Sequence, residues 1–400
     1  MPRLISWILF GVYALAVISV LAASLISPSF RAVAYAPVRE LILPPPEPIT
    51  IKLLYSTEKE AWLEEVIPLF EAAALTVDGR PVVVSAKKMG SREMYLAVLN
   101  GEETPDLISP ASSLQIAILQ DQSPNIFGRP IVNMADTASC RSLLRTPLVV
   151  VAWKERAEAL WGPSLNGDLW QRLHDAAVDP QGWAVYGHPE WGYIKFGQTN
   201  PRTSNSGFQA ILLMTYAYLG KTDGLTSADI LSNVGYQKWF LDLQGAIPEF
   251  GNSSGTYMND MVAFGPSKYD MIIAYESVVI EQAANAIGRY GELRVFYPPT
   301  TLWSDHPFCA LNTDWVTPEK ARAAQVLLDY LAGDPAQRIA MLKYGYRPVA
   351  PGVSLNEPGS PFSRYARMGL QANVPSVALQ TPPGAVLNTL LDFWTRNVQP

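Results

Sequence analysis

Four consecutive polar residues, Thr203, Ser204, Asn205 and Ser206, stand ahead of Gly207 and the apolar run Phe208 to Leu219. The spacing places them where a helix begins. A helix start carries unpaired backbone N–H groups and the positive end of the peptide dipole, a ready site for an oxyanion or carboxylate. Hydroxyl side chains add donors without adding a competing charge. One N-cap needs only one such side chain, so four in a row point to a ligand. On that reading Ser204→Ala and Ser206→Ala weaken binding with little loss of stability.

Other chemistries find less support. Gly251-Asn-Ser253-Ser-Gly255 has the G-x-S-x-G spacing of serine hydrolases, but that motif needs an apolar strand directly before it. Here Pro248 interrupts the preceding segment, and the three histidines, His174, His188 and His306, leave few candidates for a base. Ser253 to Thr256 read better as a polar cap for the helix that ends before Gly265. No H-x-x-x-H or paired-cysteine spacing marks a transition-metal site, and no G-x-x-x-x-G-K-[ST] run marks a nucleotide site. No cofactor is expected, and no enzyme. The net charge of −6, with charged residues only 16% of the chain and no basic cluster, excludes nucleic acid as a partner. Cys140 and Cys309 are the only cysteines; they are able to pair in an oxidising compartment.

Alternating elements must position these residues. Ile49, Ile51, Leu53 and Tyr55 share one face of a period-two strand. Thr57 and Glu60 have the spacing of a capping box before a helical stripe of Trp62, Val66, Phe70 and Ala73, which Pro68 should bend. Val82 to Ser85 reads as a second strand, with Ser91 as the cap of the helix that follows. Asp106 to Ile108 is a third strand, closed by Ser109 and Ser112. Pro147 to Ala152 and Asp270 to Tyr275 are continuous apolar runs, as in strands covered on both faces. Thr317-Pro318 and Asp334-Pro335 open helices that Gly333 and Gly345 close. Strands alternating with helices imply an α/β protein built mainly on parallel sheets, in two lobes.

The run Trp191-Gly-Tyr-Ile-Lys-Phe-Gly-Gln-Thr-Asn-Pro-Arg-Thr-Ser-Asn-Ser-Gly207 resembles bacterial extracellular solute-binding proteins with the type II periplasmic-binding fold, nearest the molybdate-type receptor branch. Pro105 to Pro110, Gly265 to Glu276 and Gly345-Tyr-Arg-Pro348 carry the same likeness. The resemblance implies two α/β lobes with ligand held between them: residues 49–150 as the first part of lobe 1, 151–277 as lobe 2, and 278–400 as the second part of lobe 1 with C-terminal helices. It implies hinge closure on a small polar solute (oxyanion, sugar or amino acid), delivery to an ABC-type membrane permease, and a monomer. Ligand-facing positions implied are Ser56, Thr57, Ser91, Ser109, Ser112, Thr203, Ser204, Asn205, Ser206, Tyr275 and Glu276. A carboxylate at Glu276 repels an oxyanion unless a cation pairs with it, and Lys195 and Arg202 are candidate partners. A tethered ligand sensor and a secreted serine hydrolase stand as alternatives.

Leu4 to Ile26 carries no charge, and such a helix is long enough to cross a bilayer core of roughly 30 Å. A signal or anchor segment over 1–36 is therefore expected, placing the body outside the cytoplasm. It is either tethered to the membrane or released by cleavage near Ala32-Val33-Ala34. Residues 37–48, with five prolines, read as a stalk reaching roughly 37 Å if extended.

Overall fold

The computed structural model describes residues 2–27, 46–162 and 168–398. They fall into two units, residues 1–48 with 78–81, and residues 49–77 with 82–400. In the smaller unit Pro2–Ile26 is helical, and the Arg80 guanidinium donates to the Glu47 carbonyl at 2.8 Å. Among the described residues no helix is long and apolar enough to cross a membrane. That overturns the expected N-terminal transmembrane anchor, and with it the expected membrane partner. The cleavage sequence Ala32-Val33-Ala34 and all but the end of the proline stretch lie outside the described residues.

The larger unit is built on two sheets. The first comprises β1 (Ile49–Tyr55), β2 (Thr76–Val77), β3 (Arg80–Lys88), β4 (Leu107–Ser109) and β5 (Cys140–Ser142). The chain then enters the second sheet through β6 (Leu144–Trp153), β7 (Phe196–Thr199), β8 (Phe250–Gly251), β9 (Met271–Tyr275) and β10 (Leu293–Phe296). A small pair, β11 (Thr300–Thr301) with the later β15 (Val377–Ala378), lies apart. β12 (Trp303–Ser304) pairs with β6, and β13 (Pro307–Ala310) returns to the first sheet between β4 and β5. β14 (Arg347–Pro348) also pairs with β6. Strand order is β2-β3-β1-β4-β13-β5 in the first sheet and β10-β6-β9-β7-β8 along the second. This is the two-lobed α/β periplasmic-binding architecture.

Local chemistry explains the elements. β1 alternates, with Ile49, Ile51, Leu53 and Tyr55 buried, until Leu54 too is covered. Helix Glu60–Ala72 follows, and Trp62, Val66 and Phe70 bury its inner face beside Phe308 and Leu327. Thr57 does not cap it: residues 57–59 form a separate short turn, and no side chain caps either element. In β6 the residues from Thr146 to Trp153 are all buried, as a strand paired on both edges and covered on both faces requires. Thr317 caps helix Pro318–Ala332 through the Lys320 N–H at 3.3 Å. Gly345, at φ +68°, ends helix Asp334–Tyr344 in the left-handed region that glycine enters without strain.

Cys140 and Cys309 face each other in the antiparallel register of β5 and β13 and are disulfide-bonded across 169 residues.

Candidate functional site

The parallel strands of both sheets bring their carboxyl ends together: β1 and β4 end at Tyr55 and Ser109, β7 and β9 at Thr199 and Tyr275. Ligands of open α/β sheets bind outside such ends. The residues that follow each strand are polar and buried: Ser56, Ser112, Ser204, Asn205 and Ser206.

Asn205 bridges the two sheets. Its Oδ1 accepts from Ser112 Oγ at 3.0 Å and from Gln115 Nε2 at 2.8 Å, both beyond β4. Its Nδ2 donates to the Tyr275 hydroxyl at 2.9 Å, at the end of β9. All four side chains are almost wholly buried. Around them, Ser109 Oγ, Gln115 Oε1 and His306 Nε2 are buried polar atoms without a hydrogen-bond partner among the described residues. Most buried polar groups in folded proteins are partnered, so these three atoms have hydrogen-bonding capacity to spare beside Asn205.

The four polar residues of the helix start divide. Ser204 is the N-cap position of helix Asn205–Leu219 but makes no side-chain cap. Ser206 Oγ lies 2.7 Å from Thr199 Oγ1, 3.0 Å from Ser204 Oγ and 2.5 Å from Ser254 Oγ. It ties the helix to β7 and to helix Ser254–Phe264. Thr203 is exposed. Gly207 is required by packing, because a Cβ there would stand 2.1 Å from the Thr199 carbonyl oxygen. Ser206→Ala is therefore expected to cost about 1–3 kcal/mol, by stranding buried hydroxyls, where a surface ligand contact would cost little. Chemical denaturation measures it.

The remaining candidates are placed as follows. Ser91 is the first residue of helix Ser91–Leu99, not its cap, and its Oγ accepts from the Ala111 N–H at 3.0 Å. The Ser56 N–H donates to the Ser109 carbonyl at 2.9 Å, and Ser56 Oγ accepts from Lys59 Nζ at 2.6 Å. Thr57 lines a cavity of about 450 Å³ shared with Glu58, Lys88, Ser253 and Thr256. A second cavity of about 570 Å³ is lined by Arg92, Glu93, Asn200, Arg202 and Thr203. Each takes walls from residues that follow strands of both sheets.

Glu276 turns away from any ligand. Its carboxylate is fully buried and accepts from Arg347 Nε and Nη2, both at 2.7 Å, and from the Tyr297 hydroxyl. Burial pushes this carboxyl up, and the Arg347 guanidinium pulls it back. Lys195 instead stands 3.8 Å from Asp270. Arg202 makes a backbone turn contact, its N–H donating to Asn200 Oδ1 at 2.8 Å. Neither expected partner pairs with Glu276.

Two residues at the site escaped the sequence reading. Lys59 is fully buried, and Nζ reaches Ser56 Oγ, the Pro110 carbonyl at 3.2 Å and His306 Nδ1 at 3.2 Å. Desolvation lowers its pKa to about 7. Burial, then the neighbouring Lys59, holds the His306 imidazole well below its ordinary value.

Ser253 caps helix Ser254–Phe264 through the Thr256 N–H at 3.3 Å. The histidines are engaged elsewhere: His174 stacks on Trp239, His188 on Trp191, and His306 meets Lys59. Among the described residues no group of His, Cys, Asp and Glu is arranged to hold a metal ion.

Two α/β lobes with buried polar residues converging from facing strand ends define a solute-binding protein. The chain belongs to the family of bacterial extracellular solute-binding proteins, which matches residues 51–347, and its place is outside the cytoplasm. No curated protein matches it. Among solved structures it is similar to the sulfate-binding protein SubI from Mycobacterium tuberculosis H37Rv, with 18% identity, 85% of this chain and 96% of that one covered, and a TM-score of 0.53. It is also similar to iron-bound HitA from Pseudomonas aeruginosa, with 14% identity, 88% and 100% covered, and a TM-score of 0.57. Maltose-bound MalE3 from T. maritima is 14% identical, with 87% and 95% covered and a TM-score of 0.56. At these identities the likeness is one of fold. The fold and family are those of binding proteins, not of catalysts.

Proposed function

We propose that this protein captures a small polar solute between its lobes by hinge closure and hands it to an ABC-type permease. The observation that carries the reading is Asn205, which joins Ser112 and Gln115 on one side to Tyr275 on the other, amid unpartnered buried donors and acceptors. Side chains converging from two bodies are desolvated together on closure, which strengthens each hydrogen bond to a ligand. A hinge of this kind is the usual device of such binding proteins.

The solute class is to be read from the site, because the similar solved structures are described as binding sulfate, iron and maltose. A molybdate-type oxyanion suits the neutral hydroxyls of Ser56, Ser109 and Ser112. Sugars and amino acids are the competing classes. A thermal-shift screen against all three tests the reading. A solute at about one hundred times its Kd stabilises by about 2.7 kcal/mol and raises the melting temperature. Asn205→Ala removes two interlobe hydrogen bonds, to Ser112 and Gln115, and the bond to Tyr275 that orients the amide, and is expected to weaken that solute at least about tenfold, or about 1.4 kcal/mol. If no class of solute shifts the wild-type transition, the reading fails.

A further inference from the structure

A fully buried lysine beside the interlobe site has only uncharged hydrogen-bond partners among the described residues. Lys59 Nζ lies 2.6 Å from Ser56 Oγ, 3.2 Å from the Pro110 carbonyl oxygen and 3.2 Å from His306 Nδ1. The Phe308 ring closes one side, 5.8 Å from Nζ. The acids nearest it, Glu58 and Asp305, act only from a distance. Asp305 is already engaged, accepting from the Ser113 N–H at 2.8 Å and from Ser142 Oγ at 2.6 Å. Facing His306 are the rings of Tyr275, 6.3 Å away, and Tyr346, 5.1 Å away. Both are buried phenols whose protons burial holds in place. A buried ammonium without a counter-charge is costly.

The three contacts have a definite polarity. An ammonium donates one hydrogen to each of them and accepts none. His306 Nδ1 then accepts, so the imidazole proton sits on Nε2, the buried nitrogen without a partner among the described residues. Ser56 Oγ accepts as well, which turns its own hydrogen away from Lys59. Charging Lys59 therefore presents two donors, the His306 Nε2–H and the Ser56 O–H. Ser56 is joined through its backbone to Ser109, whose Oγ is also unpartnered among the described residues. Donors backed by a positive charge call for an anionic oxygen.

We propose that Lys59 reads the charge of the solute: as an anionic oxygen group enters the interlobe site, Lys59 takes up a proton from solvent, and Ser56 and His306 relay its charge as hydrogen bonds. This deepens the solute-binding reading and rests on it. It assigns the solute to the anions, carboxylate or inorganic oxyanion, and it makes binding proton-linked. Its desolvated pKa of about 7 leaves Lys59 partly neutral near physiological pH, so there is a proton to take up.

The test is calorimetry on the full chain at about pH 7.5 in two buffers of different ionisation enthalpy, with inorganic sulfate and acetate as probes. Neither probe titrates at that pH, and together they separate oxyanion from carboxylate. The expected result is binding of at least one probe, with uptake of about half a proton or more per anion. Lys59→Met is expected to lose the uptake and at least about tenfold in affinity. Lys59→Arg, always charged, is expected to bind without uptake, which keeps the test decisive if the methionine variant does not fold. Binding of a probe with equal heats in both buffers overturns the inference. Full affinity in Lys59→Met overturns it too. So does failure of both anions beside a neutral sugar that binds, though the solute-binding reading then stands. If no solute of any class binds, that reading falls with it.

Discussion

Arg347→Met is expected to destabilise the protein by about 3–5 kcal/mol, the cost of stranding one member of a buried ion pair. The Glu276 carboxylate is fully buried at the start of helix Glu276–Ala286, and the Arg347 side chain is 8% exposed on β14. The guanidinium grips both carboxylate oxygens and also donates to the carbonyls of Gln371 and Ala372. Its Cζ lies over the Phe362 ring, 4.8 Å from the centroid. Tyr297 completes the cluster, its hydroxyl donating to Glu276 and accepting from the Gln371 N–H at 3.1 Å. Removing the arginine leaves a carboxyl that must be protonated or bear an unpaired charge, along with two carbonyls lacking donors. Glu276→Gln/Arg347→Met should recover part of the loss, because a neutral amide costs less to bury than a carboxylate. Urea denaturation of the single and double variants measures this. A single variant within about 1 kcal/mol of wild type would mean that the pair contributes no more than an exposed one.

Stability should also rise with pH above neutrality by an amount that Lys59 sets. Burial lowers the folded-state pKa of Lys59 from 10.5 to about 7. Between those values the unfolded chain holds the proton that the folded chain has released. The unfolded state thus binds more protons, and unfolding becomes harder as pH rises. Below about pH 7 both states are protonated, and the dependence from this group disappears. Lys59→Met should lack the effect. The stability of wild type relative to the variant should climb by up to about 1.4 kcal/mol per pH unit between about pH 7 and 9.5. Urea midpoints for both proteins across that range read it directly. Parallel curves would mean that Lys59 is protonated alike in the folded and unfolded states.

Much of the architecture was legible because short-range rules govern it. The alternation of Ile49, Ile51 and Leu53, the apolar run through Val149 and Val151, and the proline and glycine punctuation of helices Pro318–Ala332 and Asp334–Tyr344 each depend on neighbours a few residues away. Thr57 and Ser91 were less clear, since capping spacing does not say whether a turn intervenes or whether a loop claims the hydroxyl. At the site, the polar run at Thr203 to Ser206 stood out, but not that Asn205 reaches across while Ser206 serves packing. Asn205 and Gln115 are 90 residues apart, and Lys59 and His306 are 247 apart. In sequence Lys59 is one charge among Glu58, Glu60, Glu64 and Glu65, as on a solvated helix face. Its burial is created by β13 and the turn before it, which arrive from the far end of the chain. Arg347 lies within Gly345-Tyr-Arg-Pro348, yet only the pairing of β14 with β6 brings it to Glu276.

The Cys140–Cys309 bond joins the strand by which the chain leaves the first sheet to the strand by which it returns. Residues 141–308, which include β6 to β10, are therefore a covalently closed ring of polypeptide pinned at its neck. A single cut anywhere in that ring leaves two fragments that travel together until a reductant parts them. The lobe carrying Asn205 and Tyr275 can loosen, or even unfold, without being lost from the lobe carrying Lys59. A severed binding protein thus keeps both halves of its site within reach of each other.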